Sequence, residues 1–208
     1  MSYPRTLDAQ FFAAATSGDA SGVASLLRGG ANAATVDTAT GWPALSAALL
    51  GGHAHVAETL VNAGADVHAV DRRGNGVLHA CAAGTCAEDG DEVALSVARK
   101  IIEVDRSVCA APNEDGVRPL HVAAQRGKRE LCELLVKFGA PLGAKDRQGR
   151  DAYHYRADAP TERVLLRLIA ENVTQQVDHA HKPAQCIALQ WNAVADAGRK
   201  QQQPRMPA

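Results

Sequence analysis

Aromatic residues are scarce in this 208-residue chain, at 4% of positions: two Trp, three Tyr and three Phe. Hydrophobic residues still make up 46%, enough for one ordinary domain. With few rings, that content rests on Ala and Leu, which suits thin layers of closely packed helices. No apolar run reaches the roughly 20 residues of a membrane-spanning helix. The start, "MSYPRTLDAQFFAAATSGD", lacks a basic stretch followed by a long apolar core, so no secretory leader is expected. Charge bias is missing as well. Lys and Arg number 22 against 23 Asp and Glu, a formal net charge of −1, which removes any global case for binding nucleic acid or an anionic membrane. The five cysteines are odd in number and scattered without paired spacing, implying reduced thiols in a cytoplasmic setting. These absences lead us to expect a soluble, cytoplasmic protein, monomeric when free.

What the chain does have is a period. Gly41 and Gly74 are 33 residues apart, as are Gly116 and Gly149, whereas Gly74 and Gly116 are 42 apart. "GWPALSAALLGG", "GNGVLHACAAGT", "GVRPLHVAAQRG" and "GRDAYHYRADAP" repeat one frame. A fixed period in this range marks a repeat architecture. The expected units are 7–40, 41–73, 74–115 with an insertion near 84–93, 116–148 and 149–172. A C-terminal extension (173–200) and a disordered tail (201–208) follow.

The fourth unit shows the physics. Pro119 stands where a missing N–H costs nothing, in the first turn of a helix running to about Arg126. Gly127 breaks that helix. Leu131, Leu134, Leu135 and Phe138 form one stripe of a second helix, which Gly139 ends in the left-handed conformation. "APLGAKDRQG" is rich in turn formers and carries the chain outward and back as a finger. In the fifth unit Asn172 falls on the C-cap position that Gly139 holds in the fourth.

"GVRPLHVAAQRGKRELCELLVKFGAPLGAKD" and "GWPALSAALLGGHAHVAETLVNAGADVHAVD" resemble ankyrin repeats, whose pattern is G-x-T-P-L-H-x-A-A-x-x-G, a second helix, then G-A-D-V-N-A. The resemblance covers about residues 7–172. It implies an all-α solenoid of about five helix-turn-helix repeats in an L-shaped stack, with fingers along one edge. The sequence departs from the pattern in places. The usual Thr is Pro43, Gly76, Arg118 or Asp151, so its hydroxyl contact is absent. The third unit's second helix, "VALSVARKIIEV", ends without Gly-Ala.

Histidines 79, 121 and 154 recur at one repeat position, which in the family tethers neighbouring fingers. A catalytic base is needed once and a tether in every layer, so all three read as scaffold. Other chemistry fares poorly, and no catalytic residue, metal site or cofactor is expected. His79, Cys81 and Cys86 lack a fourth zinc ligand, and Cys81 occupies the small core position of Ala48 and Ala123. The His-x-His pairs at 53/55 and 179/181 read as surface histidines. Glu88, Asp89, Asp91 and Glu92 lack the ordered ligands of a calcium loop. No phosphate loop or nucleophile motif is present.

Function then rests on surface, since finger tips and the exposed face of the first helices are released from packing duty in a stack. Projected on the family's frame, the partner-binding positions comprise Trp42 and Leu50, two large apolar groups, and the arginines Arg72, Arg73, Arg126, Arg147 and Arg150. Asn75, Glu114, Asp115, Val117, Gln125 and Gln148 complete the face. Trp and Arg are frequent interface anchors, and the arginine excess suggests an acidic patch on a protein partner. The resemblance implies a stand-alone, non-catalytic adaptor or inhibitor, with bacterial antitoxin-like inhibitors and host-directed effectors as an alternative. An enzyme or metal protein built on the third-unit insertion would need convergent polar groups in a pocket, which these residues do not assemble. Downstream, Ile187, Trp191 and Val194 share one stripe of a further helix that Gly198 would stop; it either caps the stack or contacts a partner.

Overall fold

Glycine recurs at positive φ at three places in the repeat: Gly18, Gly52 and Gly127 between paired helices, Gly30, Gly64 and Gly139 after second helices, and Gly41, Gly74, Gly116 and Gly149 at finger tips. Gly116 shows why no side chain fits at a tip. Its φ is +76°, and a Cβ would also press on the Arg147 backbone nitrogen at 3.1 Å, where two fingers meet.

The computed structural model describes residues 7–37, 41–84 and 90–172. The readings made of Cys86, Glu88, Asp89, the 179/181 histidine pair, the Ile187–Gly198 helix and the tail lie outside these residues, as does the Asp91 side chain. Two compact units are distinguished, 1–165 and 166–208.

In the first unit, helices α1 (Leu7–Ser17) and α2 (Ala20–Arg28) form a pair, as do α3 (Ala44–Leu50) and α4 (Ala54–Asn62). They are followed by α5 (Val77–Ala83), α6 (Gly90–Val104), α7 (Pro119–Gln125) and α8 (Arg129–Lys137). A final helix, α9, begins at 159. No strand occurs among the described residues; the fingers contribute only isolated bridges, Val36 with Pro43 and Val70 with Gly76. The first helices pack in chain order, α1 on α3, α3 on α5 and α5 on α7, and the second helices α2, α4, α6 and α8 do the same. This nearest-neighbour packing defines a solenoid, and the fold is all-α as expected.

Three local differences have physical causes. The 84–93 stretch does not leave the stack as one loop, because α6 already starts at Gly90. The long α6 ends in a 3₁₀ turn, Arg106–Cys109, which buries Val108 and Cys109 where other units have a glycine-capped finger. In the fifth unit the expected first helix is a single 3₁₀ turn, Ala152–Tyr155, with Asp151 accepting the His154 N–H at its start. Asn172 is still helical, and no described non-glycine residue has positive φ, so it is not a left-handed cap there. Of the second unit, only 166–172 is described; it continues α9, with Arg167 and Glu171 one turn apart at 3.8 Å.

The core is aliphatic apart from Phe11. Leu45, Leu78 and Leu120, at one repeat position, are 1–2% exposed, and Leu60, Ile101 and Leu135 are fully buried between the second helices. Small residues set the layer spacing: Ala48, Cys81 and Ala123 share one position and all are buried. Gly84 allows the closest approach, since a Cβ there would come within 2.0 Å of the Leu49 carbonyl oxygen. Removing the Leu120 side chain leaves a cavity in a layer that cannot collapse freely, and such truncations cost about 2–5 kcal/mol. Leu120→Ala is therefore expected to lower the urea midpoint markedly, whereas exposed Arg126→Ala stays within about 0.5 kcal/mol of the parent. Equal midpoints would show that the layers carry little of the stability.

Candidate interaction surface

Three of the fingers are each built around one Asp or Asn. Asp71 Oδ1 accepts the backbone N–H groups of Arg73 and Asn75 at 2.8 and 2.9 Å. Asn113 does the same for Asp115 and Val117, and Asp146 for Gln148 and Arg150. The short side chain replaces ladder bonds that a tight turn cannot make. Successive tips are then joined through the backbone: Glu114 donates to the Arg73 carbonyl at 3.0 Å and Arg147 to that of Asp115 at 2.9 Å.

Buried imidazoles tie fingers to helices. His121, 1% exposed, accepts the Arg118 N–H on Nδ1 at 2.9 Å, so its proton is on Nε2, which donates to the Ala144 carbonyl at 3.0 Å. His79 accepts from Gly76 at 3.1 Å and donates to the Val117 carbonyl at 3.0 Å. His154 breaks the pattern. It is exposed, its ring lies 2.7 Å from the Asp151 carboxylate, and it is no tether, because the acid at the cap position captures the imidazole. Tyr155 takes over part of the role, stacking edge-on against His121 at 5.2 Å. His53 also differs from its surface reading. Half-buried, it reaches back to the Thr16 carbonyl at 3.1 Å, and Lys128 at the equivalent position reaches the Cys81 carbonyl at 3.0 Å.

These networks claim some of the residues expected to face a partner. Asn75 donates to Asp71 Oδ2 at 2.8 Å and accepts from Asn113 at 2.8 Å, a rung between fingers. Arg150 pairs with buried Asp146 at 2.9 Å and donates to the Tyr155 hydroxyl at 2.6 Å, with its guanidinium over that ring at 4.7 Å. Burial alone would raise the Asp146 pKa, yet the bonds from Arg150 and Tyr155 outweigh it and hold the carboxyl well below its ordinary range. Arg72 lies across the preceding tip, so close that a Cβ on Gly41 would meet its Cγ at 2.9 Å. Arg73, Arg126, Arg147, Glu114, Asp115, Gln125 and Gln148 are exposed, and Val117 is half-buried.

Trp42, 37% exposed, and half-buried Leu50 line a shared pocket of about 140 Å³ with Ala80, Ala83 and Val122. Its polar wall is Ser46, Asp71, Asn75 and His79. The pairing of Trp42 with Leu50 was expected from the repeat frame, whereas Ser46, Asp71, Ala83 and Val122 were not. The available hint was Ser46 itself, which stands where the third and fourth units carry histidine. Among the described residues no cluster of His, Cys, Asp or Glu could hold a metal ion. Burial pushes the Cys109 thiol up to about 11 and that of Cys132 to about 12, which suits packing and opposes thiolate chemistry.

The family model of the ankyrin repeat matches residues 40–72 and 115–147, the second and fourth units. The chain carries ankyrin repeats at these two positions. It is 32% identical over 111 residues to the nuclear factor NF-kappa-B p105 subunit of Gallus gallus, covering 53% of this chain and 11% of that protein. Identity to ankyrin repeat and SAM domain-containing protein 6 of Danio rerio is 29% over 160 residues, or 64% and 22% of the two chains. Neurogenic locus notch homolog protein 2 of Homo sapiens is 28% identical over 138 residues, covering 66% of this chain and 5% of that one. The matches thus span at most 22% of these relatives' length. Ankyrin repeats are protein-interaction modules, and no described helix is long and apolar enough to cross a membrane.

The two tethers make stability depend on pH. Burial is the main cause lowering the pKa of both His79 and His121 from the ordinary 6.5, against the opposing pull of their carbonyl partners. A folded-state pKa below the unfolded one means that the unfolded chain binds more protons. Stability is therefore full above about pH 7 and is lost as pH falls below 6.5. Urea unfolding is expected to show a loss of up to about 3 kcal/mol between pH 7.5 and 5.5, with both rings less than half protonated by nitrogen NMR at pH 6.5. A flat profile would mean the rings titrate as in the unfolded chain.

Proposed function

We propose that this chain is a non-catalytic module that binds a protein partner through the groove and finger tips, acting as an adaptor or as an inhibitor that occludes what it binds. What supports this reading is the pocket shared by Trp42 and Leu50 together with exposed Arg73, Arg126 and Arg147, at positions that the repeat frame assigns to the same face. Arg73, Arg126 and Arg147 are the steering charges that suit an acidic patch on the partner, because Arg150 is neutralised by Asp146. Rim charges act mainly on association and weaken with salt, whereas a desolvated aromatic governs dissociation.

Capture with the intact chain, followed by identification of what co-purifies, supplies the partner for kinetic measurement. Trp42→Ala is expected to leave the association rate unchanged and to shorten the lifetime of the complex, at a cost of about 2 kcal/mol. Arg73→Glu with Arg147→Glu is expected to lower the association rate and flatten its salt dependence. Normal binding by both variants would place the contact on another face and end the groove reading.

A further inference from the structure

At the repeat position of the tethering histidines, the second unit carries Ser46. It is 3% exposed, and its hydroxyl has no hydrogen-bond partner. Serine is smaller than histidine by most of a ring, and the pocket of about 140 Å³ opens at this position. Small-molecule sites run to about 300–1,000 Å³. This one has the size for a single inserted side chain, not for a cofactor.

Donor and acceptor bookkeeping narrows the occupant. Both His79 nitrogens are engaged, and Asn75 already bonds Asp71 and Asn113. The Ser46 hydroxyl is closed off from the pocket, so the capacity left in the polar wall is the second lone pair of Asp71 Oδ2. Asp71 is met by neutral donors, the Arg73 and Asn75 N–H groups and the Asn75 amide, so its charge is available to a cation. Arg72 turns toward Gly41, and neither it nor Arg73 lines the pocket. The same pocket is lined by Trp42 and by apolar Leu50 and Val122.

We infer that this pocket is a subsite for one cationic side chain of the partner, an arginine in preference to a lysine. The alkyl stem lies against Leu50 and Val122, and the guanidinium stacks on Trp42 and donates to Asp71. A planar guanidinium stacks flat on the ring while donating to the carboxylate and is more weakly hydrated than an ammonium, which favours arginine over lysine. The inference rests on the groove being the binding face and names what that face accepts at its second and third units.

The test needs no partner. Nα-acetyl-arginine methylamide is titrated into the full chain, with the Trp42 indole N–H followed by nitrogen-resolved NMR and assigned by a Trp42→Phe variant. A saturable shift is expected, with Nα-acetyl-leucine methylamide producing none. Asp71→Asn is expected to weaken binding at least tenfold and to remain folded, because Asn113 holds the equivalent finger with the same two backbone bonds. Ser46→His is expected to fill the pocket, abolish the shift and leave the thermal midpoint equal or higher. No saturable shift with arginine, equal binding by the leucine probe, or unchanged binding by either variant would overturn the subsite. Since the probe binds without the partner, such a failure is separate from normal partner binding by the Trp42 and arginine variants, which would end the groove reading itself.

Discussion

An imidazole buried between a helix start and a finger is the contact on which the arrangement of the third and fourth units depends. Nδ1 accepts a backbone N–H that the helix leaves unpaired, and Nε2 donates to a carbonyl of the following finger. One side chain thereby satisfies two buried backbone groups and fixes the angle between a helix pair and the next turn. The finger Asp and Asn residues extend this constraint outward, each pinning two amides at a tip. Apolar packing holds the layers together without direction; the polar contacts determine where the tips point.

That division of labour explains what could be read from the chain. The glycine period, the leucine stripes and the histidine spacing were visible because each element meets the same local demand in every layer. What failed depends on the neighbour. His154 has the right spacing, but Asp151 at the cap position competes for its ring. The insertion reads as a loop from length alone, yet Gly90–Val93 form the first turn of α6, a helix that packs against α4 and α8. His53 looked like surface because its partner, the Thr16 carbonyl, is 37 residues away.

The candidate face was legible in part for the same reason. Trp42, Leu50 and the tip arginines follow from the repeat frame, which says where a side chain starts but not what it meets. Asn75 and Arg150 start on the open face and end in the scaffold, one as a rung between fingers and the other closed over Tyr155 and Asp146. Their loss divides the face into an apolar pocket at the second and third units and a rim of exposed arginines, Arg73, Arg126 and Arg147, that runs along the finger side of the repeats.

Ser46 marks where that division begins. A buried hydroxyl without a partner costs roughly 1–3 kcal/mol, and histidine at this position satisfies two backbone groups in each of the next two units. In a solenoid, stability is close to a sum of unit and neighbour terms, so a deficit in one layer is offset by the layers beside it without loosening the rest. The second unit can therefore give up its imidazole because the third and fourth keep theirs. The space it leaves adjoins Trp42 and Asp71, which gives the stack a recess partly walled by apolar side chains.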